Sequence, residues 1–193
     1  MGKYIVGITG ASGSIYGIRL IEELIKQENE VYIVITENGR KVLEFEVEMN
    51  FEQWVQNINK NNEKVKLCAV DDMFSVIASG SFKIDGMVIV PCSMGTLSKI
   101  SGGTSDNLLI RAADVMIKEK RKLILVPRET PLSSIHLKNM LFLSNLNVMI
   151  VPPMPAFYHK PKTVEDIVNT TVGRILVSLN VDSKIHHEWS GGK

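Results

Sequence analysis

The chain has 193 residues, a length that suits one domain. Hydrophobic residues make up 45% and charged residues 22%, values that exclude a largely disordered polymer. With 22 Lys and Arg against 21 Asp and Glu, the net charge of +1 leaves no electrostatic footprint for nucleic acid or for an acidic membrane surface.

Residues 4–8 are short, β-branched and followed by glycines, so they predict a buried strand. Residues 14–28 predict a helix, with Ile18, Ile21, Leu24 and Ile25 on one stripe and Glu22 paired to Lys26 at i,i+4 outside it. A second strand is expected at 31–35 and a helix from Gly39 to Glu46. The stretch 50–64 is polar and rich in Asn, and is expected to be a surface excursion anchored by Trp54, Val55 and Ile58. Further strands are expected at 65–70, 87–90, 123–126 and 148–151, with helices at 107–118 and 134–146. Pro152, Pro153, Pro155 and Pro161 then fix an extended loop. Thr163 opens the last helix, with Asp166 as its capping-box partner.

About six strands alternating with helices predict an α/β fold of three layers: a doubly wound parallel sheet, Rossmann-like or flavodoxin-like, in a single domain over 1–180 with a tail at 181–193. Cys68 and Cys92 are too few for a disulfide framework or a structural zinc site. No apolar run approaches the roughly 20 residues of a membrane span, and strand-like sequence from Tyr4 leaves no room for a signal peptide. The expectation is a cytoplasmic domain.

In such sheets ligands bind at the carboxyl ends of the strands. Gly7-Ile8-Thr9-Gly10-Ala11-Ser12-Gly13 runs from strand to helix there, either as an anion cradle or as a tight turn with Ser12 as a cap. Glu37 stands where a ribose-binding acid would, which keeps a nicotinamide cofactor open. Ser93 and Thr96 end the fourth strand with hydroxyls, and Cys92 beside them reads best as a small buried hydrophobe. Arg111 and Lys118 are about 10 Å apart on one helix line, where they form either an anion site or a salt-bridge ladder through Asp114. Arg128 and Glu129, between Pro127 and Pro131, can hold a phosphate and move a proton, or can be a surface ion pair. Tyr158 and His159 close the proline loop, and Arg174 edges the last helix's apolar stripe as a reaching or a snorkelling cation. His186, His187 and Glu188 read as an exposed tail rather than a metal site.

Together these segments resemble the UbiX-type flavin prenyltransferases over nearly the whole chain. The matching stretches are residues 7–13 with Ile15-Tyr16-Gly17, Ala78-Ser79-Gly80-Ser81, Pro91-Cys92-Ser93-Met94-Gly95-Thr96, Asn107 to Lys118, Val126-Pro127-Arg128-Glu129-Thr130-Pro131, Pro155-Ala156-Phe157-Tyr158-His159-Lys160-Pro161 and Gly173-Arg174. The resemblance implies an enzyme that joins the dimethylallyl group of dimethylallyl monophosphate to reduced FMN, at N5 and then C6, for a partner decarboxylase of the UbiD type. It implies a homo-oligomer, often a dodecamer, and no metal. By position, Gly10, Ala11, Ser12, Thr36, Ser93, Met94, Gly95, Thr96 and Arg128 would hold the flavin. Glu46, Arg111, Lys118, Arg128, Glu129, Tyr158 and Arg174 would form the prenyl phosphate site, in part across subunit boundaries. Ser12 would lie near flavin N5, Glu129 would handle protons around the departing phosphate, and Trp189 would match a tail residue that covers the site. Two alternatives share the flavin site: a flavin-dependent cysteine decarboxylase, and a non-catalytic FMN-binding subunit of a decarboxylase complex. The first wants a histidine in the first helix region and a Pro-Ala-x-Ala-Asn-Thr stretch, whereas this chain has Ile15-Tyr16-Gly17 and Pro91-Cys92-Ser93-Met94.

Overall fold

Six parallel strands form the middle layer of the computed structural model, which describes residues 1–60, 63–185 and 191. They are β1 (Lys3–Ile8), β2 (Glu30–Ile35), β3 (Val65–Cys68), β4 (Gly86–Cys92), β5 (Leu123–Pro127) and β6 (Met149–Ile150), in the spatial order β3-β2-β1-β4-β5-β6. The chain winds outward from β1 in one direction and from β4 in the other, so the switch point lies between β1 and β4. Alternation along each strand feeds two cores. Val6, Ile8, Ile33, Val88, Val90 and Val126 face one layer, and Ile5, Val34, Met87, Ile89 and Leu125 face the other.

The first layer holds α1 (Ser14–Lys26), α2 (Glu37–Val47), α3 (Phe51–Asn59) and α7 (Val164–Ser178). The second holds α4 (Met94–Ser101), α5 (Leu108–Lys118) and α6 (Ser134–Asn145). Within the surface excursion expected at 50–64 the chain forms helix α3. Asn50 caps it by accepting a 2.9 Å bond from the Gln53 N–H, and Phe51 and Val55 are buried. Phe51 stacks on Trp54 with ring centroids 5.8 Å apart. With Phe51 counted, Phe51, Trp54, Val55 and Ile58 stand at i, i+3, i+4 and i+7, the spacing of an amphipathic helix that the Asn-rich composition conceals.

Helix α6 is different. Leu143 is its one fully buried side chain, while Ile135, Leu137, Leu141 and Phe142 are exposed. Among the described residues no helix is long and apolar enough to cross a membrane. His186, His187, Glu188 and Trp189 lie outside the described residues.

Candidate active site

At the switch point the ends of β1 and β4 are tied together by Thr9. Its buried hydroxyl donates to the Pro91 carbonyl at 2.8 Å and accepts from the Ser93 N–H at 2.8 Å. The loop that follows passes so close to the start of α2 that a Cβ on Gly10 would stand 2.8 Å from the Asn38 Cβ, which only glycine avoids.

Three helices begin here, each capped by its own chain. Thr36 accepts from the Gly39 N–H at 3.0 Å, Ser93 from the Thr96 N–H at 3.2 Å, and Asn107 from the Ile110 N–H at 3.0 Å. Their positive ends surround a cleft of about 470 Å³ lined by Thr9, Gly10, Thr36, Ser93, Gly95 and Thr96, with Val70, Leu109 and Ile110 as apolar wall. Asn38, Asp71, Lys99 and Asp106 also line it. Those four were missed because Asn38 and Lys99 sit on helices α2 and α4, Asp71 and Asp106 in loops, and none lies in a pattern that marks a site. At Gly95 the space is open: a Cβ there would meet only the Ser93 hydroxyl, at 4.0 Å.

The start of α1 departs from the expectation of a Ser12 cap. Gly13 occupies the cap position at φ 106°, a left-handed conformation, and makes no side-chain bond. The cap is Glu46, reaching back from the end of α2. Its carboxylate accepts from the Gly13 N–H at 3.0 Å and the Ser14 N–H at 2.9 Å. Partial burial opposes its charge, but the bonds from the Ser12 hydroxyl and from those two N–H groups outweigh burial and hold the carboxyl below its ordinary range. On the other side, Arg128 donates from Nε to the Ser12 carbonyl at 3.3 Å. Ser12, Glu46 and Arg128 therefore form one cluster on the glycine loop, whose Gly10 lines the cleft.

That contact makes a pH prediction. Because the folded pKa of Glu46 is depressed, its stabilisation is fully present above the ordinary value of 4.5 and is lost as pH falls through the folded pKa. Glu46→Ala is expected to cost about 1 kcal/mol at pH 7, a difference that disappears in urea unfolding under acid conditions below the folded pKa.

The remaining residues are placed as follows. Ala11 and Met94 are buried and are not among the residues that line the cleft. Glu129 is exposed beside Arg128, and its carboxylate accepts from the Thr130 N–H at 3.0 Å. Arg111 donates from Nε to the Ala78 carbonyl at 3.1 Å and pairs with Asp114 at 2.9 Å. Lys118 pairs with Glu119 at 2.8 Å, so only half of the expected ladder forms. Both cations belong to α5, in the layer opposite α1 and α7. Tyr158 is exposed in the proline loop and Arg174 is exposed on α7. One chain thus joins Ser12, Glu46 and Arg128, and leaves Arg111 and Lys118 on the far side of the sheet from Arg174. Glu37 lines the cleft but pairs with Lys41 at 2.6 Å. Full burial pushes the Cys92 thiol up to about 12, so it carries no thiolate at neutral pH.

The family model Flavoprotein matches residues 2–176. The flavin prenyltransferase UbiX of Halalkalibacterium halodurans is 48% identical over 192 residues, covering 97% of this chain and 93% of that protein. Among solved structures, AnUbiX (PadA1) in complex with FMN and dimethylallyl pyrophosphate superposes with a TM-score of 0.93 at 38% identity, covering 100% of this chain and 99% of the other. A dodecameric FMN-dependent UbiX-like decarboxylase from Escherichia coli O157:H7 gives 0.91 at 43% identity, covering 98% and 100%. With near-complete coverage by such relatives, and a sheet whose switch point carries the cleft, the chain belongs to the UbiX flavin prenyltransferase family.

Proposed function

We propose that the chain transfers the dimethylallyl group of dimethylallyl monophosphate to reduced FMN, at N5 and C6, and that the prenylated flavin serves a UbiD-type decarboxylase. The observation that carries this reading is the cluster of Ser12, Glu46 and Arg128 on the same glycine loop that lines, at Gly10, a cleft built from three helix N-termini. The cleft fits FMN on its own chemistry: the open space at Gly95 admits a ring system, Leu109 and Ile110 offer an apolar wall, and Thr36, Ser93 and Thr96 present hydroxyl and N–H groups. Reduced FMN supplies the electron-rich positions that take the allylic carbon.

The side chains do the rest. Breaking the allylic C–O bond sends its electron pair to phosphate, and guanidinium and ammonium groups stabilise that charge as it develops. Arg128, Arg174 and the Tyr158 hydroxyl are the assigned donors. Arg111 and Lys118 stand in the opposite layer of their own chain, so in this reading they reach the site from a second copy. Glu129 exchanges a proton with the departing phosphate. The Ser12 hydroxyl donates to the Glu46 carboxylate, an arrangement suited to take a proton from a flavin nitrogen placed above Ser12. The exposed apolar face of α6 and the dodecameric relative support a homo-oligomer.

The test is mass spectrometry of the flavin after anaerobic incubation of the purified chain with reduced FMN and dimethylallyl monophosphate in a chelator. A flavin heavier by one C5H8 unit is expected, because a cation cluster suffices for a monoester. Dimethylallyl diphosphate is expected to react more slowly. A strict need for added magnesium would count against the cation cluster, and bound but unaltered FMN would identify a non-catalytic flavin subunit instead.

A further inference from the structure

The loop that carries Tyr158 has no helix or strand between β6 and α7, yet among the described residues two of its contacts hold it in place. One is the start of α7, where the Asp166 carboxylate accepts from the N–H groups of Lys162 at 2.8 Å and Thr163 at 3.0 Å. The other is half-buried His159. The Tyr158 ring meets the imidazole edge to face, with centroids 5.4 Å apart and planes at 80°. His159 Nε2 lies 2.8 Å from the Thr170 hydroxyl, which itself lies 2.8 Å from the Asp166 carbonyl oxygen. A threonine hydroxyl has one proton and a carbonyl can only accept, so in the tautomer that satisfies both contacts the Thr170 proton lies on the Asp166 carbonyl and the imidazole donates from Nε2–H to Thr170. Thr170 precedes Arg174 by four residues, which puts both on one face of α7.

We propose that His159 is a positioning residue, clasping the Tyr158 loop to the helix face that carries Arg174 so that phenol and guanidinium meet one prenyl phosphate as a fixed pair. The inference rests on the assignment of Tyr158 and Arg174 to that phosphate. Without the clasp, the loop would have to order its backbone each time the ligand arrived, and affinity would fall with no contact to the ligand removed.

The test titrates dimethylallyl monophosphate calorimetrically into the full chain loaded with oxidised FMN, alongside steady-state turnover. His159→Leu and Thr170→Val are each expected to weaken monophosphate binding, and to raise its KM, about fivefold, the worth of one neutral hydrogen bond. The kcat and the FMN affinity should stay within about twofold. His159→Gln keeps a side-chain N–H donor and should restore binding. The double variant should be no weaker than either single one, since both remove the same bond. Binding within twofold of the parent in His159→Leu and Thr170→Val, or a His159→Gln variant as weak as His159→Leu, overturns the clasp. Arg174→Ala separates the two layers of the argument. If it weakens binding while the clasp variants do not, the inference alone fails. If it too leaves binding unchanged, the phosphate assignment fails and takes the inference with it.

Discussion

Replacing Glu129 with Gln is expected to leave FMN bound while turnover falls by about 10²- to 10³-fold, the usual range for removing a positioned acid or base. The substitution is nearly isosteric. The amide oxygen can still accept from the Thr130 N–H that the carboxylate now holds at 3.0 Å, so the loop after β5 keeps its shape. What is lost is the carboxylate that this reading assigns to proton exchange with the phosphate, one residue along the chain from Arg128. Single-turnover kinetics by mass spectrometry, with FMN affinity from fluorescence quenching, separate the two effects. Unchanged turnover would remove Glu129 from the mechanism. A parallel loss of FMN would show instead that it holds the cofactor.

Gly95→Leu is expected to do the opposite, abolishing flavin binding with little effect on the fold. A Cβ at this position meets only the Ser93 hydroxyl at 4.0 Å, and the residue lies in the first turn of α4, where leucine is a better helix former than glycine by about 0.8 kcal/mol. Gly95 is part of the cleft wall, so the added isobutyl group stands at the mouth that a ring system would occupy. FMN affinity should therefore drop more than about 100-fold, the consequence of overpacking a site by several heavy atoms, while the thermal midpoint stays within a few degrees. Gly10→Leu is the control. Its Cβ would collide with the Asn38 Cβ at 2.8 Å, so that variant should lose stability as well as ligand. A Gly95→Leu protein that still takes up FMN would place the flavin elsewhere on the molecule.

The strands were legible because each is short, apolar and closed by turn residues, and their alternation with helices left little choice of sheet. Helix α3 was not. One Phe omitted from a polar, Asn-rich window turned an i, i+3, i+4, i+7 stripe into scattered anchors. At the cleft, Thr36, Ser93 and Thr96 could be placed from their position just past strand ends, since caps and strand termini are local features. The relation between Glu46 and the glycine loop could not. The two are 33 residues apart, the contact runs from the end of one helix to the start of another, and composition carries no trace of it. The same limit applies to the α5 cations. Spacing set Arg111, Asp114 and Lys118 on one line, but whether Lys118 pairs with Asp114 or Glu119 depends on rotamers and on the neighbouring residues 78–82.

The division of cations between the two layers has a consequence for symmetry. Six hydrogen-bonded strands stand between Arg111 and Arg174, so no hinge motion within a polypeptide brings them face to face. In the proposed arrangement each copy donates Arg111 and Lys118 and receives a neighbour's pair beside Arg174, on the other side of its sheet, and a head-to-tail contact of that kind is satisfied throughout only when the ring closes. Completed sites would then number as many as the subunits in the closed ring, and a lone protomer would have none.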